Sequence, residues 1–181
     1  FGLSALKASS AERYALFLLS NIYGGGMSSR LFQQVREERG LCYSIFSFSQ
    51  LLSDNGVFGV YAGTSENQLD EMLTVSTAAL ADCTYSITDE ELARAKQQLK
   101  AASLMRRDSV GGMMESTARQ LILFGEVLDR DKLIADIDNV TKQQVMDAAA
   151  NLLSGSQPSV ALTGPHSSFQ GHGWLADRLS A

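Results

Sequence analysis

Asn21-Ile22-Tyr23-Gly24-Gly25-Gly26-Met27-Ser28-Ser29-Arg30-Leu31-Phe32-Gln33-Gln34-Val35-Arg36-Glu37-Glu38-Arg39-Gly40-Leu41-Cys42-Tyr43-Ser44-Ile45 is the stretch in which helix gives way to strand. Three consecutive glycines close one helix and free the backbone to turn or flex. Ser28 or Ser29 supplies a side-chain oxygen to start the next helix, predicted to run to about Arg39 with Leu31, Phe32 and Val35 on its buried side. Gly40 falls where such a helix stops, and strand-forming residues follow at once. Arg36 therefore sits in the last helical turn and Tyr43 at the start of the strand, seven residues later. With Gly40 reversing the chain between them, both side chains can reach one cleft. Guanidinium and phenol are both hydrogen-bond donors at neutral pH, a pair that suits a tetrahedral oxyanion. It equally suits an ordinary surface, with Arg36 on a neighbouring Glu and Tyr43 half-buried. Spacing leaves both readings open.

Outward from this stretch, strand signals are few and concentrated. Leu41–Gln50 carries Tyr43, Ile45, Phe46 and Phe48, and Val57–Gly63 carries Phe58, Val60 and Tyr61. Asp54-Asn55-Gly56 between them is a hairpin signal. Ser159–Thr163, bracketed by the only two prolines, reads as a late short strand, and Phe1–Leu6 as the end of another. Helix starts are legible as four capping boxes: Ser9 with Glu12, Ser65 with Gln68, Thr88 with Glu91, and Thr141 with Gln144. Apolar stripes at helical spacing follow each, namely Ala11, Tyr14, Ala15, Leu18 and Ile22; Leu69, Met72, Leu73, Leu80 and Cys83; Leu92, Ala95, Leu99 and Ala102; and Val145, Ala148, Ala149 and Leu152. Lys96, Lys100, Arg106 and Arg107 suit the C-terminal half of the third helix. Met113–Phe124, after Gly111-Gly112, reads as a further, buried helix. Strands and helices are segregated along the chain, so the predicted class is α+β: a two-layer domain, a largely antiparallel sheet packed against several helices.

Composition narrows the function. At 181 residues, 45% hydrophobic and 19% charged, the chain suits one domain with a sizeable core. A net charge of −5 argues against nucleic acid as partner, since phosphate contacts need clustered Lys and Arg. The longest apolar run, Leu121–Leu128, is short of a bilayer span and is interrupted by Glu126, so no membrane role is expected. Cys42 and Cys83 lie far apart with no C-x-x-C and read as buried apolar residues. His166 and His172, the only histidines, lie in the Gly- and Ser-rich stretch Gly164–Gly173; a metal pair there is weaker than a solvated tail. No G-x-x-x-x-G-K-[ST], G-x-G-x-x-G or H-x-x-E-H occurs. The chain opens on Phe1, which suggests a piece of something longer.

Gly24-Gly25-Gly26-Met27-Ser28-Ser29-Arg30-Leu31-Phe32, Val35-Arg36-Glu37, Arg39-Gly40-Leu41 and Tyr43-Ser44 together resemble the C-terminal half of the mitochondrial-processing-peptidase-like zinc peptidases, the family of pitrilysin and the insulin-degrading enzymes. The resemblance continues more weakly through Asp54–Thr64, Thr88–Lys96, Val140–Val145 and Ala161–Pro165. It implies a family domain over residues 1–165, with residues 166–181 a tail. It implies one of two similar halves that close around a chamber, zinc and general base being held by an H-x-x-E-H half that this chain lacks. From the matching motif it assigns Arg36 and Tyr43 to substrate contact and to the developing negative charge. The Gly24–Gly26 loop becomes a substrate-binding or hinge element, or simply a helix stop. The expected function is the substrate-binding, catalysis-completing domain of a zinc metalloendopeptidase that hydrolyses peptides or processes presequences. The expected partners are a peptide, an N-terminal half, and a second subunit of the same fold in a dimer. The alternative is a non-catalytic structural or partner subunit of that fold. A bacterial cytoplasm and a mitochondrial matrix both fit.

Overall fold

The computed structural model describes residues 1–105, 108–155, 157–165 and 169–179. Arg106, Arg107 and His166 lie outside the described residues. Three strands, β1 (Gly2–Ala5), β2 (Ser44–Leu51) and β3 (Gly56–Gly63), form an antiparallel sheet in the order β1-β3-β2. The Asp54-Asn55-Gly56 signal does mark a hairpin: Leu51 pairs with Gly56, and the Leu52 N–H closes the loop on the Asn55 carbonyl at 2.8 Å. Phe1–Leu6 contributes β1, whose register runs from Gly2 opposite Gly59 to Ala5 opposite Gly56. Ser159–Thr163 does not become a full strand. Ser159 makes one antiparallel bridge, exchanging 2.8 Å hydrogen bonds with Gly2, and the ladder goes no further.

Among the described residues seven α-helices accompany the sheet: α1 (Arg13–Gly24), α2 (Leu69–Asp82), α3 (Asp89–Met105), α4 (Val110–Phe124), α5 (Arg130–Asn139), α6 (Lys142–Gly155) and α7 (His172–Leu179). α1 is the central element, packed on β2 along one side and on α3 and α6 along the other. Its sequence suits that place, because Leu16, Leu18, Leu19, Ile22 and Tyr23 turn apolar surface in nearly every direction and all are buried. Alternation in β2 puts Ile45, Ser47 and Leu51 toward α1 and leaves Phe46 and Phe48 on the open face. There Phe46 stacks on Tyr61 with ring centroids 5.1 Å apart. After residue 165, α7 returns to α2 and buries Leu175 and Leu179 in the same core.

Of the four predicted capping boxes, two form reciprocally. The Thr88 and Glu91 pair exchanges bonds of 2.8 and 3.1 Å, and the Thr141 and Gln144 pair bonds of 2.8 and 3.2 Å. At the first helix no side-chain cap forms: Ser10, not Ser9, accepts the Glu12 N–H at 3.2 Å, in the turn before α1. Ser65 meets the Gln68 side chain at 2.7 Å, and a 3₁₀ turn, Glu66–Gln68, precedes α2. The expected buried helix over Met113–Phe124 is corrected. α4 has no fully buried residue, Met114 is 70% and Ile122 80% exposed, and the helix stands beside an apolar groove of about 450 Å³ instead of filling it. Apolar periodicity reports that a face favours cover, not that the same domain supplies it. Among the described residues no helix is long and apolar enough to cross a membrane.

Candidate functional site

The Gly-rich segment begins where α1 ends. Gly24 is buried against β2, and a Cβ there would lie 2.4 Å from the Ser47 backbone nitrogen, so only glycine lets the two elements meet this closely. The contact is fixed by Ser47, whose Oγ donates to the Ser20 carbonyl at 2.7 Å. Gly25 and Gly26 are exposed, and none of the three has a positive φ. In backbone terms they end a helix and admit a close neighbour, and only Gly25 and Gly26 present open surface to any other molecule.

Ser28 and Arg30, just beyond the glycines, are fastened to α3 and to the loop before it. Arg30 forks onto Glu91, Nε to Oε1 at 2.7 Å and Nη2 to Oε2 at 2.9 Å, and spends further donors on the Ser86 hydroxyl and carbonyl at 3.0 Å each. Both side chains are mostly shielded, at 11% and 16% exposure. Burial alone would push the Glu91 carboxyl up. The bonds from Arg30 and the Thr88 N–H outweigh it and hold the carboxyl below the usual carboxylate range. Arg94 adds a 3.3 Å bond to the Ser28 carbonyl.

Ser29 does start the following helical segment, with its Oγ 3.4 Å from the Phe32 N–H, but the segment is not the expected α-helix to Arg39. Phe32–Glu37 is π-helical, and the Glu38 N–H reaches the Gln33 carbonyl at 2.9 Å, five residues back. Such widened turns cluster at functional sites. Leu31 and Val35 are buried as expected, and Phe32 is half-buried. Gly40 ends the segment in the left-handed region at φ +63°, its N–H on the Arg36 carbonyl at 3.0 Å and the Leu41 N–H on Val35 at 2.9 Å. The turn is then braced from outside. Thr64 Oγ1 donates to the Leu41 carbonyl, Gln68 Nε2 to the Gly40 carbonyl at 3.2 Å, and the Tyr43 N–H to the Gly63 carbonyl at 2.8 Å.

Arg36 and Tyr43 stand on either side of this braced turn. Tyr43 is 83% exposed, not half-buried. Arg36 is also exposed, and among the described residues its guanidinium is seen against a ring, with Cζ 4.6 Å from the Phe32 centroid, and in no ion pair. Glu38, two residues on, is taken by Arg39 at 3.1 Å. Burial pushes the neighbouring Cys42 thiol up, and the Arg36 charge pulls it partly back. No hydrogen bond joins Arg36 to Tyr43 among the described residues. Both side chains are exposed on one hydrogen-bonded connector.

Nothing described here suits a resident zinc ion. Among the described residues no three His, Cys, Asp or Glu side chains gather in metal-binding proximity. Cys42 and Cys83 are buried apart, Cys83 with its thiol pushed up to about 12 by burial. The His172 ring is engaged by the Pro158 carbonyl.

Two features of the site carry only a faint signal in the sequence. Arg30 has no acid three or four residues away, which was the available sign that its partner is distant. Phe32 and Arg36 are four residues apart, the spacing at which helical side chains meet.

Residues 2–99 match the family described as "Peptidase M16 inactive domain". A Streptomyces coelicolor protein named as the uncharacterized zinc protease SCO5738 is 36% identical over 165 residues, which is 91% of this chain and 36% of that protein. The Bacillus subtilis uncharacterized zinc protease YmxG is 32% identical over 154 residues, 84% of this chain and 38% of its own length. The chain thus spans little more than a third of these relatives. Among solved structures, Complex III2 from Candida albicans contains a chain superposing with a TM-score of 0.76 at 22% identity, over 83% of this chain and 38% of that one. The peptidase M16 inactive domain from Pseudomonas fluorescens superposes at 0.71 and 22%, over 83% and 37%. The α+β fold is shared by both. With more than half of its length matched by that family, this chain belongs to the M16 peptidase inactive-domain family.

Proposed function

We propose that this domain is the substrate-binding half of a zinc-dependent metalloendopeptidase whose zinc and general base reside in another half. One observation carries the reading: Arg36 and Tyr43 project from a turn braced on both sides, their donors uncommitted to acids of the described residues. A scissile carbonyl gains negative charge as it becomes tetrahedral. A donor already in place at that oxygen contributes about 2.7–4 kcal/mol in other hydrolases, because no reorganisation is needed at the moment of reaction. Tyr43 Oη is suited to the developing oxyanion. Arg36, with several donors in a plane, is suited to a neighbouring substrate carbonyl. On this reading the chain supplies binding and charge stabilisation, and proton abstraction falls to the other half. The substrate class that follows is an extended peptide, including presequence-like segments.

A second reading is a non-catalytic subunit that completes a chamber or scaffold. The fold likeness to a chain of Complex III2 and the family's description as inactive favour it. The two readings part in the full-length protein carrying this domain. Arg36→Ala lowers kcat/KM on peptides with zinc content unchanged if the domain binds substrate, and leaves kcat/KM unchanged if it is only scaffold.

A further inference from the structure

We infer that Phe32 is a positioning residue that holds the Arg36 guanidinium in the orientation in which it meets substrate; this rests on the reading of Arg36 as a substrate-binding group. A long arginine side chain on an exposed turn has many rotamers, and ordering it at the moment of binding costs free energy. Two ways exist to order it in advance. An acid would do so but would occupy the same N–H donors that the substrate carbonyl needs. An aromatic ring attracts the cation while accepting none of its N–H bonds, so the donors stay available.

The structure takes the second way. Arg36 Cζ lies 4.6 Å from the Phe32 centroid, while Glu38, two residues on, is engaged by Arg39, whose Nη1 also donates to the Gln34 carbonyl at 2.7 Å. The backbone that carries the ring is anchored. Phe32 opens the π-helical run, its N–H on Ser29 Oγ, between the fully buried Leu31 and Val35. Two residues upstream Arg30 fastens the segment to α3, and four residues downstream of Arg36 the Gly40 turn fastens it to Gln68. Ring and guanidinium therefore sit between two anchors, and the contact between them decides where the charge points.

The test uses the full-length protein with Phe32→Leu, Phe32→Tyr and Arg36→Ala. Leucine keeps the apolar bulk and removes the ring; tyrosine keeps the ring. The expected result is that Phe32→Leu raises KM for peptide about three- to tenfold with kcat and Tm close to wild type, while Phe32→Tyr stays near wild type. In the NMR spectrum the Arg36 side-chain signals, shifted by the ring current, move toward random-coil positions in Phe32→Leu and stay in Phe32→Tyr. A Phe32→Leu variant with unchanged KM beside an impaired Arg36→Ala overturns the role of Phe32 alone. Unchanged KM and kcat in Arg36→Ala overturns the site reading. Arg36 signals that ignore Phe32→Leu overturn the ring contact whatever the activity.

Discussion

Removing the Arg30 guanidinium tests the brace under the candidate site. Arg30→Ala deletes four hydrogen bonds of 2.7–3.0 Å and leaves a mostly shielded carboxylate at Glu91 without its counter-ion. Breaking a buried pair from one side costs about 3–5 kcal/mol, chiefly because the remaining charge is stranded. Here the Thr88 N–H still reaches Glu91 Oε2 at 2.8 Å and some water has access, so the expected loss is about 2–3 kcal/mol. For a domain of this size that corresponds to a fall in Tm of roughly 5–10 °C. Thermal and urea unfolding followed by circular dichroism measure it. A double-mutant cycle with Glu91→Ala isolates the pair, with a coupling of about 1–2 kcal/mol expected. The pH dependence has a definite sign. Glu91 is held below its ordinary value in the fold, so its contribution is complete above the unfolded carboxylate pKa and is lost as pH falls through the folded one. The gap between wild type and Arg30→Ala must therefore narrow as the solution is made acid. A stability change under about 0.5 kcal/mol, or a gap that widens toward acid, refutes the account of the brace.

Two further substitutions probe other parts of the fold. Gly24→Ala drives a Cβ to within 2.4 Å of the Ser47 backbone and is expected to cost about 1–3 kcal/mol in urea unfolding; a neutral result means that α1 and β2 are less closely apposed. Met114→Gln and Ile122→Gln on α4, by contrast, should change stability by less than about 0.5 kcal/mol, because neither side chain is covered; a loss above about 1.5 kcal/mol would place that face in a core.

Local chemistry made much of the fold legible. The hairpin followed from Asn55-Gly56 between two β-rich runs, and the α3 and α6 starts followed from Thr88 with Glu91 and Thr141 with Gln144, all decided within a few residues. What was hidden depended on distance or on geometry that periodicity does not encode. Arg30 and Glu91 are sixty-one residues apart. Apolar spacing predicts helix at Leu31–Val35 but does not separate i→i+4 from i→i+5 bonding, so it does not reveal that the run around Arg36 is π-helical. Gly24 read as a helix stop because the neighbour that excludes a Cβ, Ser47, belongs to β2. The apolar composition of α4 predicts a buried helix, yet none of its residues is fully buried, and it meets the core through the partly buried Leu123 and Phe124. At the site, the motif placed Arg36 and Tyr43 around Gly40, and the bland expectation of an Arg36–Glu pair with a half-buried Tyr43 is the one that the geometry does not support.

The central claim, that this domain presents charge-stabilising donors to a peptide while metal is held elsewhere, is tested most directly by Tyr43→Phe in the full-length protein, with kcat/KM on a peptide and the zinc-to-protein ratio measured on the same preparation. The account predicts a fall in kcat/KM of about 10²–10³ with the zinc ratio unchanged. An unchanged kcat/KM, or a fall that tracks loss of zinc, would contradict it.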